Sequence, residues 1–172
     1  VMLTGIVFCG GKSLRRGSDK GLLLKDGITL AEEAFEKLRS LRIPVFVSIH
    51  PLQQQTYGGI FSDHLLIADN LQPAIQCEGP LKGFVSVHRR FPRNDLIVLA
   101  CDLTEMETAL LQQLQSAYRS HRQQYDFFAF SNKEDVHEPL CAIYSAKRMN
   151  ILYQALVMGR LRSYRLQPIL SA

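Results

Sequence analysis

Short apolar runs alternate with amphipathic segments along the whole chain, and this alternation predicts strands interleaved with helices. The predicted strands are Leu3–Phe8, Val45–Ile49, Leu65–Ala68, Leu96–Ala100, Asp126–Phe130 and Leu140–Tyr144. The fourth of these is apolar at every position, which is typical of a central parallel strand that is covered on both faces.

Helical spacing of apolar residues predicts four helices between and after these strands. Thr29 and Glu32 form a capping-box pattern at the start of the first helix, and Thr104 and Glu107 repeat that pattern before the third. The second helix is predicted at residues 83–90 and the last one follows Ser145. Strands that alternate with helices indicate the α/β class. We therefore predict a single domain over residues 1–172, with three α/β/α layers around a mostly parallel, Rossmann-like sheet.

Composition places the chain among ordinary globular domains, with 172 residues, 47% hydrophobic and 21% charged. No apolar run approaches the ~18 residues of a membrane-spanning helix, so no membrane association is expected. Four scattered cysteines without a C-x-x-C pair, and no visible leader peptide, favour a cytoplasmic location. The net charge of +4 suits a polyanionic small molecule. Nucleic acid is the less favoured partner, because few aromatic residues lie among the basic ones.

The loop after the first strand, IVFCGGKSLRRGSDK at Ile6–Lys20, combines glycines with basic residues that include Lys12 and Arg15. Glycines let backbone N–H groups approach an anion closely, and cations stabilise it, so this loop is predicted to hold a phosphate. Gly11–Ser13 reads GKS, but the loop is not a Walker P-loop, since Ile6 stands where that motif needs its first glycine. The competing interpretation is a glycine-rich surface loop with solvated charges.

Polar residues follow several predicted strands at the point where each strand ends. Ser48 closes the second strand, Asp69 follows the third, and Asp102 follows the apolar run Leu96–Cys101. The carboxyl ends of parallel strands meet at one edge of the sheet, where α/β proteins bind ligands. Asp102 is expected to bind Mg²⁺, which prefers carboxylate oxygen together with substrate phosphates. Thr104 is expected to cap the following helix, which makes a capping role for Asp102 redundant.

The loop pattern G-G-K-S-x-x-R-G-x-D-K at Gly10–Lys20 resembles the signature of the molybdenum cofactor guanylyltransferases, usually A-G-G-x-S-x-R-M-G-x-D-K. Cys9 stands at the usual alanine and Arg16 at the usual methionine. The ending Asp19-Lys20 favours this family over the sugar nucleotidyltransferases, which share a looser pattern. The segments IADN, EGPLKG, VLACD and HEPLCAIY follow in the family's order, so the resemblance covers about residues 3–145.

The resemblance implies an enzyme with a nucleotidyltransferase sheet that transfers GMP from GTP to molybdopterin or its molybdenum-loaded form, using Mg²⁺ and releasing pyrophosphate. It implies that the nucleotide site contains Phe8, Cys9, Gly10, Gly11, Lys20, Ser48, Asp69 and Asp102. Lys20, Arg15 and Asp102 are the implied catalytic residues, with Asp102 holding the metal. The GPLxG turn, Gly79–Gly83, is expected near the pterin. Cofactor-synthesis and insertion proteins are the implied protein partners.

The chain departs from the family pattern after its last helix. It stops at Ala172 without the N-x-N-T-P-x-[DE]-L segment, whose asparagine lies near the metal in family members. This departure bears on metal binding and turnover and not on nucleotide binding. Three alternatives stay open: a related nucleotidyltransferase with another base or acceptor, such as CTP or a sugar phosphate; a non-catalytic GTP-binding or partner-binding protein; and a nucleic-acid binder. Nucleotide preference, pyrophosphate release and salt dependence separate them.

Overall fold

The computed structural model describes residues 1–10, 17–70, 75, 77 and 79–160. The strands in these ranges are β1 Leu3–Phe8, β2 Leu24–Lys25, β3 Ile28–Thr29, β4 Val45–Ile49, β5 Leu66–Ala68, β6 Asp95–Ala100, β7 Phe127–Ser131 and β8 His137–Tyr144. Six of them form one sheet in the order β5-β4-β1-β6-β8-β7. β2 and β3 pair with each other in a small separate hairpin, which the sequence pattern does not predict.

Parallel pairing dominates this sheet. β1 pairs in parallel with β4 on one side and with β6 on the other, and β5 extends the parallel set beyond β4. The antiparallel pairs are those of β8 with β6 and of β7 with β8. The register places Phe8 beside both Ser48 and Ala100, so the carboxyl ends of β4, β1 and β6 lie side by side. The prediction of a mostly parallel sheet is confirmed.

Helices cover both faces of the sheet. They are α1 Leu30–Arg39, α2 Gln54–Gly58, α3 Pro80–Arg90, α4 Thr108–His121 and α5 Ala146–Val157. One core cluster packs residues of α1 and α4 on one sheet face, and a second packs residues of α3 and α5 on the other. Consecutive residues of β1, such as Ile6 and Val7, point to opposite faces of the sheet and belong to different clusters. This arrangement confirms the three-layer prediction. Within the described ranges, no helix is both long and apolar enough to cross a membrane.

Several local predictions are confirmed by the structure. The Thr29 capping box is complete, because Thr29 Oγ1 accepts from the Glu32 N–H at 3.2 Å and the Glu32 carboxylate accepts from the Thr29 N–H at 2.9 Å. The last helix begins after Ser145, whose side chain accepts from the backbone of Arg148. The four cysteines, Cys9, Cys77, Cys101 and Cys141, are free and buried. Strands β5 and β7 begin one residue later than predicted, and β8 begins three residues earlier, at His137.

The capping box predicted at Thr104 is wrong. Helix α4 begins at Thr108, and Glu107, the residue before it, makes no side-chain capping hydrogen bond. The chain between residues 100 and 106 forms backbone hydrogen-bonded turns instead, because it must change direction after leaving β6. Asp102 therefore lies in a turn well before the helix and does not cap it.

The GPLxG segment is the start of a helix and not the turn that the sequence predicts. α3 begins at Pro80, and Gly79 precedes it with a φ of 63°, a conformation that favours glycine. Gly83 lies inside the first turn of α3. A Cβ there would come within 2.5 Å of the Phe8 ring and 2.9 Å of the Ser48 hydroxyl. The absence of a side chain at Gly83 lets α3 lie directly on the ends of β1 and β4.

We predict that Gly83→Ala lowers the free energy of unfolding by about 1–3 kcal/mol, because the added methyl group overpacks the contact with Phe8. Urea unfolding followed by circular dichroism measures this loss. The matched control is Gly58→Ala, another helical glycine, where a Cβ would meet only an Asp63 carboxylate oxygen at 3.3 Å. Equal stabilities of the two variants would contradict the prediction.

Candidate active site

The ends of four parallel strands bring candidate ligand-binding residues to one edge of the sheet. Gly10 follows β1, Asp69 follows β5 and Asp102 follows β6. Neighbouring strands lie about 4.8 Å apart, so the ends of β5 and β6, three strand steps from each other, are ~14 Å apart along this edge. The strand ends that the sequence pattern predicts to meet do lie together, and they form a continuous rim.

Lys20 and Asp102 meet on this rim. The Lys20 ammonium donates to the Asp102 carboxylate at 3.1 Å, although 82 positions separate the two residues in the chain. Their side chains are 55% and 42% exposed. Ion pairs open to solvent contribute little to stability, because water competes for both charges. Both groups are therefore available to exchange this contact for a ligand.

Lys20 is carried on a single 3-10 turn whose N-cap residue is Asp19. One oxygen of the Asp19 carboxylate accepts from the Gly21 N–H and from the Tyr57 hydroxyl, each at 3.0 Å. The other oxygen accepts from the Gln53 side-chain amide at 2.7 Å. Three donors thus hold this carboxylate, and two of them come from the segment that follows β4.

Gln53 joins three parts of the site. Its carbonyl oxygen accepts from the His50 N–H at 2.8 Å, and its amide nitrogen donates to the Cys9 carbonyl at 3.2 Å as well as to Asp19. Gln53 is buried, and Tyr57 beside it is completely buried. Burial raises the pKa of the Tyr57 hydroxyl, which therefore stays protonated and donates.

Three residues expected to contact the nucleotide have side chains in the core. The Phe8 ring stacks on Phe84 with centroids 4.9 Å apart, and the side chains of Ser48 and Cys9 are buried. The Cys9 N–H donates to the Ser48 carbonyl at 3.0 Å, so this backbone amide is already paired. These residues are buried below the carboxyl ends of β1 and β4, while Gly10, which follows β1, is half-buried.

Asp69 is held at the far end of the rim by its backbone N–H, which donates to the Ile49 carbonyl at 2.9 Å. Burial raises the pKa of its carboxyl group to about 6, and the positive charge of Lys82 opposes this shift in part. A half-buried carboxylate that ionises near neutral pH is suited to accept hydrogen bonds from a ligand.

Sequence reasoning identified part of this arrangement. Gly11 and Arg15 lie outside the described residues, so the structure shows only the two ends of the predicted phosphate loop. Gln53 and Tyr57 belong to no recognised pattern and were missed. The one feature of the sequence that points to such donors is Asp19 in the loop pattern, because its carboxylate is half-buried in the structure and needs hydrogen-bond donors.

For His50, which directly follows β4, the sequence allows either contact with a nucleobase or a place in a surface turn. Its ring nitrogen accepts from the Leu52 N–H at 3.1 Å, and it caps the 3-10 turn that follows β4. This contact supports the structural role.

The chemistry at Asp102 fits a hard divalent cation. The carboxylate is exposed at a strand end and already pairs with one cation, the Lys20 ammonium. The described part of the chain contains no group of three or more His, Cys, Asp or Glu side chains that could enclose a metal. Mg²⁺ does not require such a cage, because it binds through one or two carboxylates together with substrate phosphates and water.

Comparison with known proteins extends these observations. Residues 5–168 match the family described as the MobA-like NTP transferase domain. A probable molybdenum cofactor guanylyltransferase of Methanothermobacter thermautotrophicus is 29% identical over 181 residues, which cover 96% of this chain and 90% of that protein. A second probable molybdenum cofactor guanylyltransferase, from Flavobacterium johnsoniae, is 26% identical over 160 residues, which cover 93% of this chain and 77% of that protein.

Solved structures show the same fold. Molybdopterin-guanine dinucleotide biosynthesis protein A from Archaeoglobus fulgidus superimposes with a TM-score of 0.68 at 20% identity, over 98% of this chain and 78% of that one. A 4-diphosphocytidyl-2C-methyl-D-erythritol synthase from Anaerococcus prevotii reaches 0.66 at 8% identity, over 99% and 81% of the two chains. The family match spans nearly the whole chain, and this protein is therefore a nucleotidyltransferase that belongs to the MobA-like NTP transferase domain family.

Proposed function

We propose that the protein transfers GMP from GTP to molybdopterin or its molybdenum-loaded form, giving a guanine dinucleotide cofactor and pyrophosphate. The observation that carries this proposal is the contact between Lys20 and Asp102 at the carboxyl ends of parallel strands. It brings together a cation suited to phosphate and a carboxylate suited to a metal. Relatives named as probable molybdenum cofactor guanylyltransferases supply the choice of GTP and of the acceptor.

In the proposed reaction, a terminal phosphate oxygen of the acceptor attacks the α-phosphorus of GTP. The new phosphorus–oxygen bond forms while the bond to the oxygen that bridges the α- and β-phosphorus breaks, and pyrophosphate leaves with that electron pair. Such a transfer depends on alignment and on neutralisation of charge more than on proton transfer. Lys20 and Arg15 would balance the charge that grows on the transferred phosphate and on pyrophosphate, and the N–H groups of Gly10 and Gly11 would hold the triphosphate.

We assign Mg²⁺ to Asp102, whose exposed carboxylate lies next to the proposed phosphate site. When bound, the ion would neutralise negative charge on the phosphate oxygens. Lys20 would then exchange its contact with Asp102 for one with phosphate. This exchange costs little, because the ion pair is open to solvent.

Asp69 is the proposed guanine-binding residue. Its carboxylate would accept hydrogen bonds from guanine N1–H and the 2-amino group, a pair of donors that adenine does not present. The strand ends that precede Asp69 and Asp102 are ~14 Å apart, which leaves room for the base at one end of the rim and the phosphates at the other. Phe8, Cys9 and Ser48 would form the base of the nucleotide site, because their side chains are buried and their backbone groups already pair within the sheet.

The test of this function is pyrophosphate release with Mg²⁺ and molybdopterin, compared among GTP, CTP and ATP. Release with GTP alone supports guanylyl transfer. Release with CTP would keep the reaction type and refute the assignment of the base. Tight GTP binding without release from any of the three nucleotides would contradict catalysis and favour a GTP-binding protein. Cofactor-synthesis and insertion proteins remain the proposed donors and recipients of the pterin.

We predict that Lys20→Ala lowers kcat by about 10²–10³-fold and changes GTP affinity much less, because the ammonium acts on charge that develops in the transition state. Steady-state pyrophosphate release and equilibrium nucleotide binding measure the two quantities. Lys25→Ala is the matched control, since Lys25 also pairs with a carboxylate, that of Glu33, at 3.1 Å. Unchanged turnover in Lys20→Ala would remove Lys20 from the catalytic residues.

Asp102→Asn is expected to raise the Mg²⁺ concentration needed for half-maximal activity by at least about tenfold, because a neutral amide binds a hard cation weakly. A magnesium titration of pyrophosphate release at saturating GTP gives this value. Glu36→Gln removes another exposed carboxylate, one that pairs with Arg39 at 2.9 Å, and should leave the titration unchanged. The same half-maximal concentration in Asp102→Asn and in the unmodified protein would be evidence against the metal assignment.

GTP affinity is predicted to rise about tenfold between pH 5 and pH 7, because a carboxyl group with a pKa of about 6 is only about one-tenth ionised at pH 5. The ionised form accepts both guanine donors, so binding strengthens as the proton is lost. Calorimetry without Mg²⁺ measures this change. In Asp69→Asn, the part of the pH dependence that comes from the protein should disappear, while the titration of the GTP phosphates remains. A profile with the same slope in both proteins would exclude Asp69 as the base-binding residue.

A further inference from the structure

We propose that Tyr57 and Gln53 are positioning residues for nucleotidyl transfer, which act by holding Asp19 so that Lys20 points at the reacting phosphates. These three residues, Asp19, Gln53 and Tyr57, are called the Asp19 clamp below. The inference rests on the proposed function, because it assumes that Lys20 acts on phosphate.

The turn that carries Lys20 is held against the rest of the protein in part through Asp19. This 3-10 turn is three residues long, and the Leu22 N–H donates to the Asp19 carbonyl at 3.1 Å. A single 3-10 turn is weak by itself, since its hydrogen-bond geometry is poor. The Asp19 carboxylate, which also accepts from the Gly21 N–H, ties this turn to the rest of the protein.

Gln53 gives the clamp a fixed orientation. Its carbonyl oxygen accepts from the end of β4 at His50, and its amide nitrogen donates both to the end of β1 at Cys9 and to Asp19. One acceptor and both N–H donors of this buried amide are therefore used, so a rotated amide would lose all three contacts. Gln53 thereby ties the Lys20 turn to the carboxyl ends of two sheet strands, β1 and β4.

Tyr57 holds the other carboxylate oxygen from within the core. Its ring belongs to the cluster between the sheet and α1, and its hydroxyl donates to Asp19 at 3.0 Å. The approach is close enough that a Cβ at Gly21 would overlap this hydroxyl. Glycine at that position lets the Lys20 turn lie directly on the Tyr57 hydroxyl group.

A second tyrosine–carboxylate pair provides an internal comparison. The Tyr118 hydroxyl donates to the Asp95 carboxylate at 2.7 Å, and both residues are buried. Asp95 begins β6, whereas Asp102 follows the carboxyl end of the same strand. The Tyr118 pair therefore resembles the Tyr57 pair chemically but lies at the opposite edge of the sheet from Lys20.

The experiment compares Tyr57→Phe with Tyr118→Phe, each of which removes one buried hydroxyl that donates to a carboxylate. We expect kcat to fall about tenfold in Tyr57→Phe, with nucleotide affinity within about twofold of the unmodified protein, because misplaced catalytic groups affect the reaction more than binding. Tyr118→Phe should keep kcat, even where its thermal stability falls as much. Pyrophosphate release is followed with whichever nucleoside triphosphate the unmodified protein accepts, so the identity of the base does not decide the result.

A second readout does not require catalysis. Trypsin cleaves after Lys20, and cleavage of the nucleotide-free protein at this bond, identified by mass, should be faster in Tyr57→Phe than in Tyr118→Phe. Gln53→Glu should accelerate the same cleavage, because it replaces an N–H donor to Asp19 with a second carboxylate. Cleavage at the same rate in all three variants would overturn the clamp.

The outcomes also separate this inference from the proposed function. If Lys20→Ala keeps full turnover, the role of Lys20 is refuted, and the positioning role is refuted with it. If Lys20→Ala loses turnover while Tyr57→Phe keeps the kcat of the unmodified protein, the proposed function stands and the positioning role alone is refuted.

Discussion

The parallel pairing of β1 with β4 and β6 is the constraint on which the whole site depends. Because Phe8 is in register with Ser48 and with Ala100, three segments leave the sheet side by side. A shift of one residue in a strand would move every side chain to the opposite face and disrupt two cores at once. Burial of apolar residues on both faces therefore sets the geometry of the rim, including the contact between Lys20 and Asp102.

The site combines contacts of two energetic kinds. The Asp19 clamp joins a half-buried carboxylate to two buried donors, so loss of one partner leaves a costly unpaired group. The ion pair between Lys20 and Asp102 is open to water and contributes little. The buried hydrogen bonds of the clamp thus hold the backbone in place, while the exposed charges of Lys20 and Asp102 exchange partners readily. This division suits a reaction in which the backbone must stay aligned while phosphate and metal replace an internal contact.

Two glycines make this close packing possible, and each does so by lacking a side chain. Gly83 lets α3 rest on the ends of β1 and β4, which covers Phe8 and Ser48. Gly21 lets the Lys20 turn rest on Tyr57. Phe8, Ser48 and Tyr57 are then buried beneath the candidate site, and the groups left near solvent are those proposed to bind phosphate, metal and base. Glycine therefore shapes the candidate site through packing, in addition to the role proposed for glycines in the phosphate loop.

The sequence by itself determined the features that depend on neighbouring residues. Apolar runs predicted the sheet strands to within a few residues, the Thr29 capping box is complete, and a strand followed by a carboxylate placed Asp102 at the rim. A local rule failed at Thr104, because the turns after β6 and not the capping pattern decide where α4 begins. Only the tertiary structure decided the contacts of Gln53 and Tyr57 with Asp19. Gln53 meets Asp19 across 34 positions of the chain, and such a contact follows from the packing of strands and helices, which no local pattern encodes.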